Sequence, residues 1–379
     1  MKFGNRHIMM VFSAALLLLS LAACSRGSES VPDVRPTLSI YIYVPDRIVP
    51  TRAAVRATEA EDSIHNMQIW VFKHNTDSYL GYLSLTQEQL LNLNSSLHSE
   101  SYSMEIPKEF AEHPSPVDVY VLANVTEANC GVTLGNRITR SELLDYQMKS
   151  AYFYDYGTTA YDSRYGLPMT VDSVNLEVSG KDMVLHVSSG QMCLRRAVSK
   201  VQFAFSKSVA RGNSNIMVEK ITLDAGVVPK NEYLFLGADN DYRSTKDYQS
   251  EVATLIGTDK RFPMLPNDDP EDYVYSSATF SDVGAYMNEV AQAAAHGKIA
   301  LSPPVYLRET DKALRGSIYY SVDGDMRSAR FEMSGAGRFY RNSTWLVYGY
   351  FNAGELDVST VTIPDWEDGG SSGGVVSNW

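Results

Sequence analysis

The chain has 379 residues, a formal charge of −12 and three cysteines. Acidity without a basic stripe argues against nucleic acid as a partner, and three cysteines are too few for a disulfide framework. The length exceeds that at which one core keeps growing, which favours two domains.

Lys2 and Arg6 precede an apolar run over residues 8–21, which gives way to Ala22, Ala23 and then Cys24. That is the pattern of a bacterial lipoprotein signal: residues 1–23 are removed and Cys24 takes the lipid. No later run approaches the roughly 20 apolar residues of a membrane span, so the expected anchor is lipid. Residues 38–44 then alternate cleanly, which puts Leu38, Ile40, Ile42 and Val44 on one face of a strand. Pro45 and Pro50 hold the following chain out of a sheet, around Arg47, Arg52 and Arg56. A strand followed at once by exposed arginines is built to be clipped, so residues 24–56 form a propeptide with a severable first strand. At about 2 kcal/mol per buried aliphatic side chain that strand supplies about 8 kcal/mol to its core. Its loss opens an apolar groove with unpaired edges, where an extended segment adds as a strand.

Further along, period-2 alternation recurs over residues 67–72, 117–123, 173–179, 183–188, 198–205, 216–223, 345–351 and 356–363. Many short alternating segments predict a mostly β protein of packed sheets. Val283, Met287, Val290 and Ala294 recur at helical spacing between Asp282, placed as a cap, and Gly297, placed as a stop. Shorter helices open at Thr86 and at Ser141. The break at 188–195 divides the chain into an N-terminal sandwich over 57–193 and a C-terminal one over 194–379. Leu356 and Val358 face one way and Val361 and Ile363 the other, so a bulge is expected between them. A glycine-serine linker follows, and then Val375, Val376 and a final Trp379, a tail that something should receive.

Little chemistry presents itself. The seven histidines show no metal-ligand spacing, and no nucleophile pattern or phosphate loop occurs, so neither a metal, a cofactor nor an enzyme is expected. Cys130 and Cys193 either pair, as an exported protein permits, or stay as small buried thiols. Tyr152, Phe153, Tyr154, Tyr156, Tyr161 and Tyr165 cluster in one stretch, which offers an alternative: a surface lipoprotein that binds glycans and does not polymerise.

Four stretches carry a resemblance. Residues 118–125 end in Ala123-Asn124-Val125, residues 166–170 hold Pro168-Met169, residues 194–201 hold Arg196 and Lys200-Val201, and Arg341-Asn342 stands ahead of Pro364-Asp365-Trp366. In this order they resemble the fimbrillins of Bacteroidales, subunits of type V pili. The resemblance implies two transthyretin-like β-sandwich domains, export as a lipoprotein to the outer membrane, and an arginine-specific protease that removes lipid and first strand together. Cleavage then falls after Arg52 or Arg56, with Arg47 a weaker candidate. The implied subunit polymerises by donor-strand exchange with other fimbrial subunits, copies of itself and minor components, through Leu356, Val358, Val361 and Ile363 or through Val375 and Val376. A tip, accessory or anchor subunit is the alternative within the family.

Overall fold

The computed structural model describes residues 35–43, 61, 63–95, 99–149, 165–181, 183–187, 192–208, 211, 213–236, 242–257, 265, 267–268, 283–334, 337–352, 355–363 and 374–377. The first half runs β1 (Thr37–Tyr43), β2 (Met67–Lys73), β3 (Tyr79–Ser84), α1 (Gln87–Ser95), β4 (Ser99–Glu105), α2 (Lys108–Glu112), β5 (Val117–Ala123), α3 (Glu127–Cys130), α4 (Arg140–Asp145), β6 (Gln147–Lys149), β7 (Met169–Leu176), β8 (Val178–Lys181), β9 (Val184–Val187), β10 (Met192–Cys193) and β11 (Arg195–Arg196). The second half runs β12 (Ser199–Ser208), β13 (Ile216–Leu223), β14 (Asn231–Tyr233), β15 (Ala253–Ile256), β16 (Asn267–Asp268), α5 (Val283–Ala295), β17 (Ala300–Leu301), β18 (Val305–Leu307), β19 (Leu314–Val322), β20 (Asp325–Met333), β21 (Thr344–Asn352), β22 (Glu355–Ile363) and β23 (Gly374–Ser377).

The protein is mostly β, as expected. Its first half pairs a sheet of β10, β1, β9, β8 and β4 with an antiparallel sheet in the order β11-β7-β5-β2-β3. Leu38, Ile40, Ile42, Tyr102 and Met104 from the former share one core with Ile69, Val71, Val119 and Val121 from the latter. In the second half β12, β21, β22 and β23 lie side by side, joined at β12 by β16, β17 and β18, against a sheet in the order β15-β13-β19-β20. Phe203, Phe205, Ile318, Phe331 and Trp345 fill the space between them.

The second sheet of the first half is buried on both faces. Val119 and Val121 point into its own sandwich, whereas Tyr120 and Leu122 join Trp70, Phe72, Leu234, Phe235 and Tyr306 in a separate cluster that ties the halves together. A two-stranded ladder crosses the same junction, because β6 of the first half pairs with β14 of the second.

Helix α5 lies over the outer face of the β12–β21 sheet, with Tyr286, Val290 and Ala293 against Ala204, Leu346 and Tyr348. Gly297, at φ +71°, stops it as expected: its N–H reaches Ala294 O and that of Lys298 reaches Ala293 O. Helix α4 starts earlier than expected. Thr139, not Ser141, is its cap, because Glu142 three residues on returns a hydrogen bond to the Thr139 N–H and closes a capping box. Ser141 instead hydrogen-bonds Asp77.

Two strand readings need correction. The alternation over 173–179 spans two strands, β7 and β8, since Asn175 sits at φ +58° with its N–H held by Asp118 and turns the chain from one sheet into the other. The bulge expected in the tail is absent: β22 pairs with β21 from Glu355↔Asn352 to Ile363↔Thr344 without a register shift.

Candidate functional site

Strand β1 is an interior strand. One edge pairs antiparallel with β4 over all seven residues, from Thr37↔Glu105 to Tyr43↔Ser99. The other edge is shared: β9 takes Thr37 to Ser39 and β10 takes Ile42 and Tyr43, both parallel. The ends are tied too, by Thr37 N–H to Met183 O at 2.9 Å and Leu194 N–H to Tyr43 O at 2.9 Å. Leu38, Ile40 and Ile42 are each 0% exposed. Outward, Ser39 Oγ lies 2.7 Å from Ser103 Oγ, and Arg35 donates to Glu105 at 3.0 Å. At about 2 kcal/mol each, the three aliphatic side chains supply about 6 kcal/mol of burial. Such a strand is an integral part of its sandwich. Val44, the arginines 47, 52 and 56, and Cys24 lie outside the described residues.

The tail is built into the chain's own second sandwich. Leu356 is 8% exposed within that core and Val358 packs against it half-buried. Val361 and Ile363 lie in β22, opposite Leu346 and Thr344 of β21. Val375 and Val376 lie in β23, which runs antiparallel along β22 with Val375 opposite Val361 and Val376 opposite Thr360. Strand β23 is the outermost of its sheet.

The described residues of the four resembling stretches converge on the junction of the two sandwiches; Pro364, Asp365 and Trp366 lie outside the described residues. Asn124, at φ +58° and fully buried, accepts from His65 N–H at 2.7 Å and donates to Ser63 O and Leu167 O. Gly166 (φ +70°) lies so near that a Cβ there would stand 2.2 Å from Asn124 Nδ2. Ala197 N–H donates to Pro168 O, and Asn342 joins both sides by accepting from Arg196 N–H and donating its own N–H to Val198 O. Arg341 is bound to Glu309 and donates to Leu234 O and Tyr233 O.

No protein-family model and no curated protein matches the chain. Solved structures do. A candidate cell adhesion protein from Parabacteroides distasonis gives a TM-score of 0.53 at 14% identity, over 86% of this chain and 96% of that one. The tip fimbrial protein Mfa3 from Porphyromonas gingivalis, with C-terminal truncation, gives 0.50 at 13% identity, over 86% of this chain and 99% of that one. The chain has the fold of Bacteroidales fimbrial proteins. The first strand and the last two lie in different sandwiches.

Two polar clusters elsewhere are committed to structure. Burial pushes the Asp118 carboxyl up, but hydrogen bonds from His74, Asn175 and Asn75 outweigh it and hold the group below the usual carboxylate range. Arg140 completes that shell at 2.9 Å. A cleft of about 640 Å³ at the junction, lined by Tyr120, Arg140, Asp172 and Arg243 among others, has its cations engaged: Arg243 by Leu144 O and Asp145, Arg140 by Asp118. The pairing left open for Cys130 and Cys193 is not formed. The reason is placement, since Cys130 packs on the outer face of the second sheet and Cys193 lies on the β10 edge of the first. Of the aromatic cluster only Tyr165, half-buried, falls among the described residues. Among those residues no helix is long and apolar enough to cross a membrane.

Proposed function

We propose that the chain is a structural subunit of a cell-surface fimbria, exported as a precursor held to the outer membrane by lipid on Cys24. An arginine-specific protease cuts after Arg52 or Arg56, Arg47 being the weaker site, and so detaches lipid and β1 together. The mature subunit comprises an N-terminal sandwich, 57–193, and a C-terminal one, 194–379. A second copy, or a minor fimbrial component, fills the vacated slot with a strand, and the filament grows outside the cell.

The observation that carries this reading is the topology of β1: paired on both edges and with three fully buried aliphatic side chains, it is joined to the rest by residues 44–60, which contain every candidate arginine. The fold shared with fimbrial proteins supports it. Of the two candidate donors, β23 is the one at the edge of its sheet. Leu356 anchors β22 inside its own sandwich, whereas β23 is an edge strand beyond it. Val375 and Val376 are therefore the proposed donor residues, and β23 rests on β22 until a slot becomes available.

The test uses the full precursor and trypsin. After cleavage the intact chain should form detergent-resistant ladders and filaments, and a chain ending at residue 373 should fold and be cleaved yet remain monomeric. Ladders from the truncated chain would refute β23 as donor, and intact Arg52 and Arg56 in the digest would refute the activation step.

A further inference from the structure

Glu61, just beyond the stretch that holds the candidate cleavage sites, is 1% exposed although it is an acid. Its carboxylate enters a socket made by the second sandwich. Lys200 Nζ lies 3.1 Å from Glu61 Oε1, and the Tyr306 hydroxyl donates to the same oxygen. Lys200 on β12 and Tyr306 on β18 are direct cross-strand partners, so the two donors stand side by side, 2% and 1% exposed. The next residues are held as well: Ile64 N–H donates to Asn94 Oδ1 at 2.9 Å and His65 N–H to Asn124 Oδ1 at 2.7 Å.

A carboxylate and an ammonium withdrawn from water together gain little net stability, because desolvation consumes most of their attraction. What the pair fixes is position. Removing Glu61 would take from buried Lys200 the carboxylate it faces at 3.1 Å, which costs the second sandwich a charge partner supplied by the N-terminal segment. Between Arg56 and Lys73 the sequence has no lysine or arginine, so an arginine protease has nothing to cut in the stretch that carries Glu61, Ile64 and His65.

We propose that Glu61 is a retaining peg: seated between Lys200 and Tyr306, it locks the chain that follows the first strand onto the second sandwich and sets the geometry of the sandwich junction. That it keeps this geometry when β1 departs rests on the processing reading above; its role in the uncut chain does not. Lys200, one of the residues in the resembling stretches, then acts as the floor of the socket.

The experiment is a double-mutant cycle on the full chain, read by amide exchange at Ile64 and His65. Glu61→Ala should accelerate exchange at both amides at least about tenfold, because the segment loses its peg and Lys200 its partner. Adding Lys200→Met should recover much of the accompanying loss in melting temperature, since no orphaned charge remains, while exchange at 64 and 65 stays fast. Glu61→Asp, one methylene shorter, should behave like the alanine variant. Wild-type exchange rates in Glu61→Ala, or strictly additive effects of the two substitutions on melting, would overturn the peg. After trypsin and removal of the freed strand, wild-type Ile64 and His65 should stay protected; loss of protection together with the strand would overturn retention. A chain that trypsin leaves intact would count against processing alone, and the cycle on that uncut chain would still decide the peg.

Discussion

Refilling the slot with a peptide isolates the energetics of β1. In the cleaved, strand-free protein a synthetic Thr37–Tyr43 peptide regains the burial of Leu38, Ile40 and Ile42, all 0% exposed in place. Taking the ladder to β4, β9 and β10 as roughly offsetting the entropy of ordering seven residues, the net is about 6 kcal/mol, a Kd on the order of tens of micromolar. Peptide at tenfold above that Kd should add about 1.4 kcal/mol, a rise of about 3–6 °C in the melting temperature of a sandwich this size. A peptide with Ile40→Asp places a carboxylate against Met104, Val119 and Val121 of the same core, costs several kcal/mol, and should give no shift at that concentration. Tyr41 faces outward at 43% exposed, so the Tyr41→Asp peptide should keep most of the effect. Scanning calorimetry of the three mixtures decides the matter. Equal shifts from the natural and Ile40→Asp peptides would mean that binding does not occur in the β1 register, and the depth of the slot would then have no part in strand exchange.

Burial pushes the Glu232 carboxyl up to about 7 and that of Asp172 up to about 6. A raised carboxyl pKa favours the folded state below the usual range near 4 and loses that contribution as pH rises through 6–7, so melting should be higher at pH 5 than at pH 8. Glu232→Gln should flatten the dependence and raise the pH 8 value; an unchanged profile would mean that Glu232 does not titrate there. Gly316→Ala should destabilise the second sandwich severely, since a Cβ would stand 2.1 Å from the Thr222 carbonyl oxygen, whereas at Gly81 the nearest atom is Met104 Sδ at 2.7 Å, on an unbranched side chain, with the Glu105 carbonyl oxygen at 3.3 Å, and Gly81→Ala should cost less; denaturant titration ranks them. Cys130, buried and with its thiol pushed up to about 12, should resist maleimide in the native protein while half-buried Cys193 reacts, and mass spectrometry of the labelled digest reports which.

Much of this architecture was legible because strand faces obey a period of two. The inward row of β1, the helix from Val283 and its stop at Gly297 all follow from local pattern. The β19–β20 hairpin escaped for a local reason as well: Asp325, Met326, Arg327 and Ser328 are all exposed, so the first half of β20 has no buried face to alternate against. Its turn was visible in composition, and Asp323 and Gly324 at φ +52° and +96° make the left-handed pair that a tight hairpin requires. The two-faced burial of β2 and β5 had a signal in the unbroken apolar runs Ile69-Trp70-Val71-Phe72 and Val119-Tyr120-Val121-Leu122. Such runs mark strands covered on both sides and point to a second layer that alternation alone does not reveal.

The junction was illegible for a different reason. Lys200 meets Glu61 across 139 positions, and Arg196 meets Asn342 across 146. No window of sequence contains both partners, and each residue alone reads as a solvated charge or a turn former. The resemblance to a family pattern marks Arg196, Lys200 and Asn342, not Glu61, and does not supply the contacts; the meeting of Arg196 with Asn342 accompanies the parallel pairing of β12 and β21, with Lys200 opposite Thr344. The same pairing brings the end of β22 to the junction, since Ile363 lies opposite Thr344. First strand and socket therefore differ in what holds them. Strand β1 rests on apolar burial and a backbone ladder. Glu61 is held instead by a buried charge pair with Lys200 and by the Tyr306 hydroxyl, contacts that depend on the placement of single polar atoms.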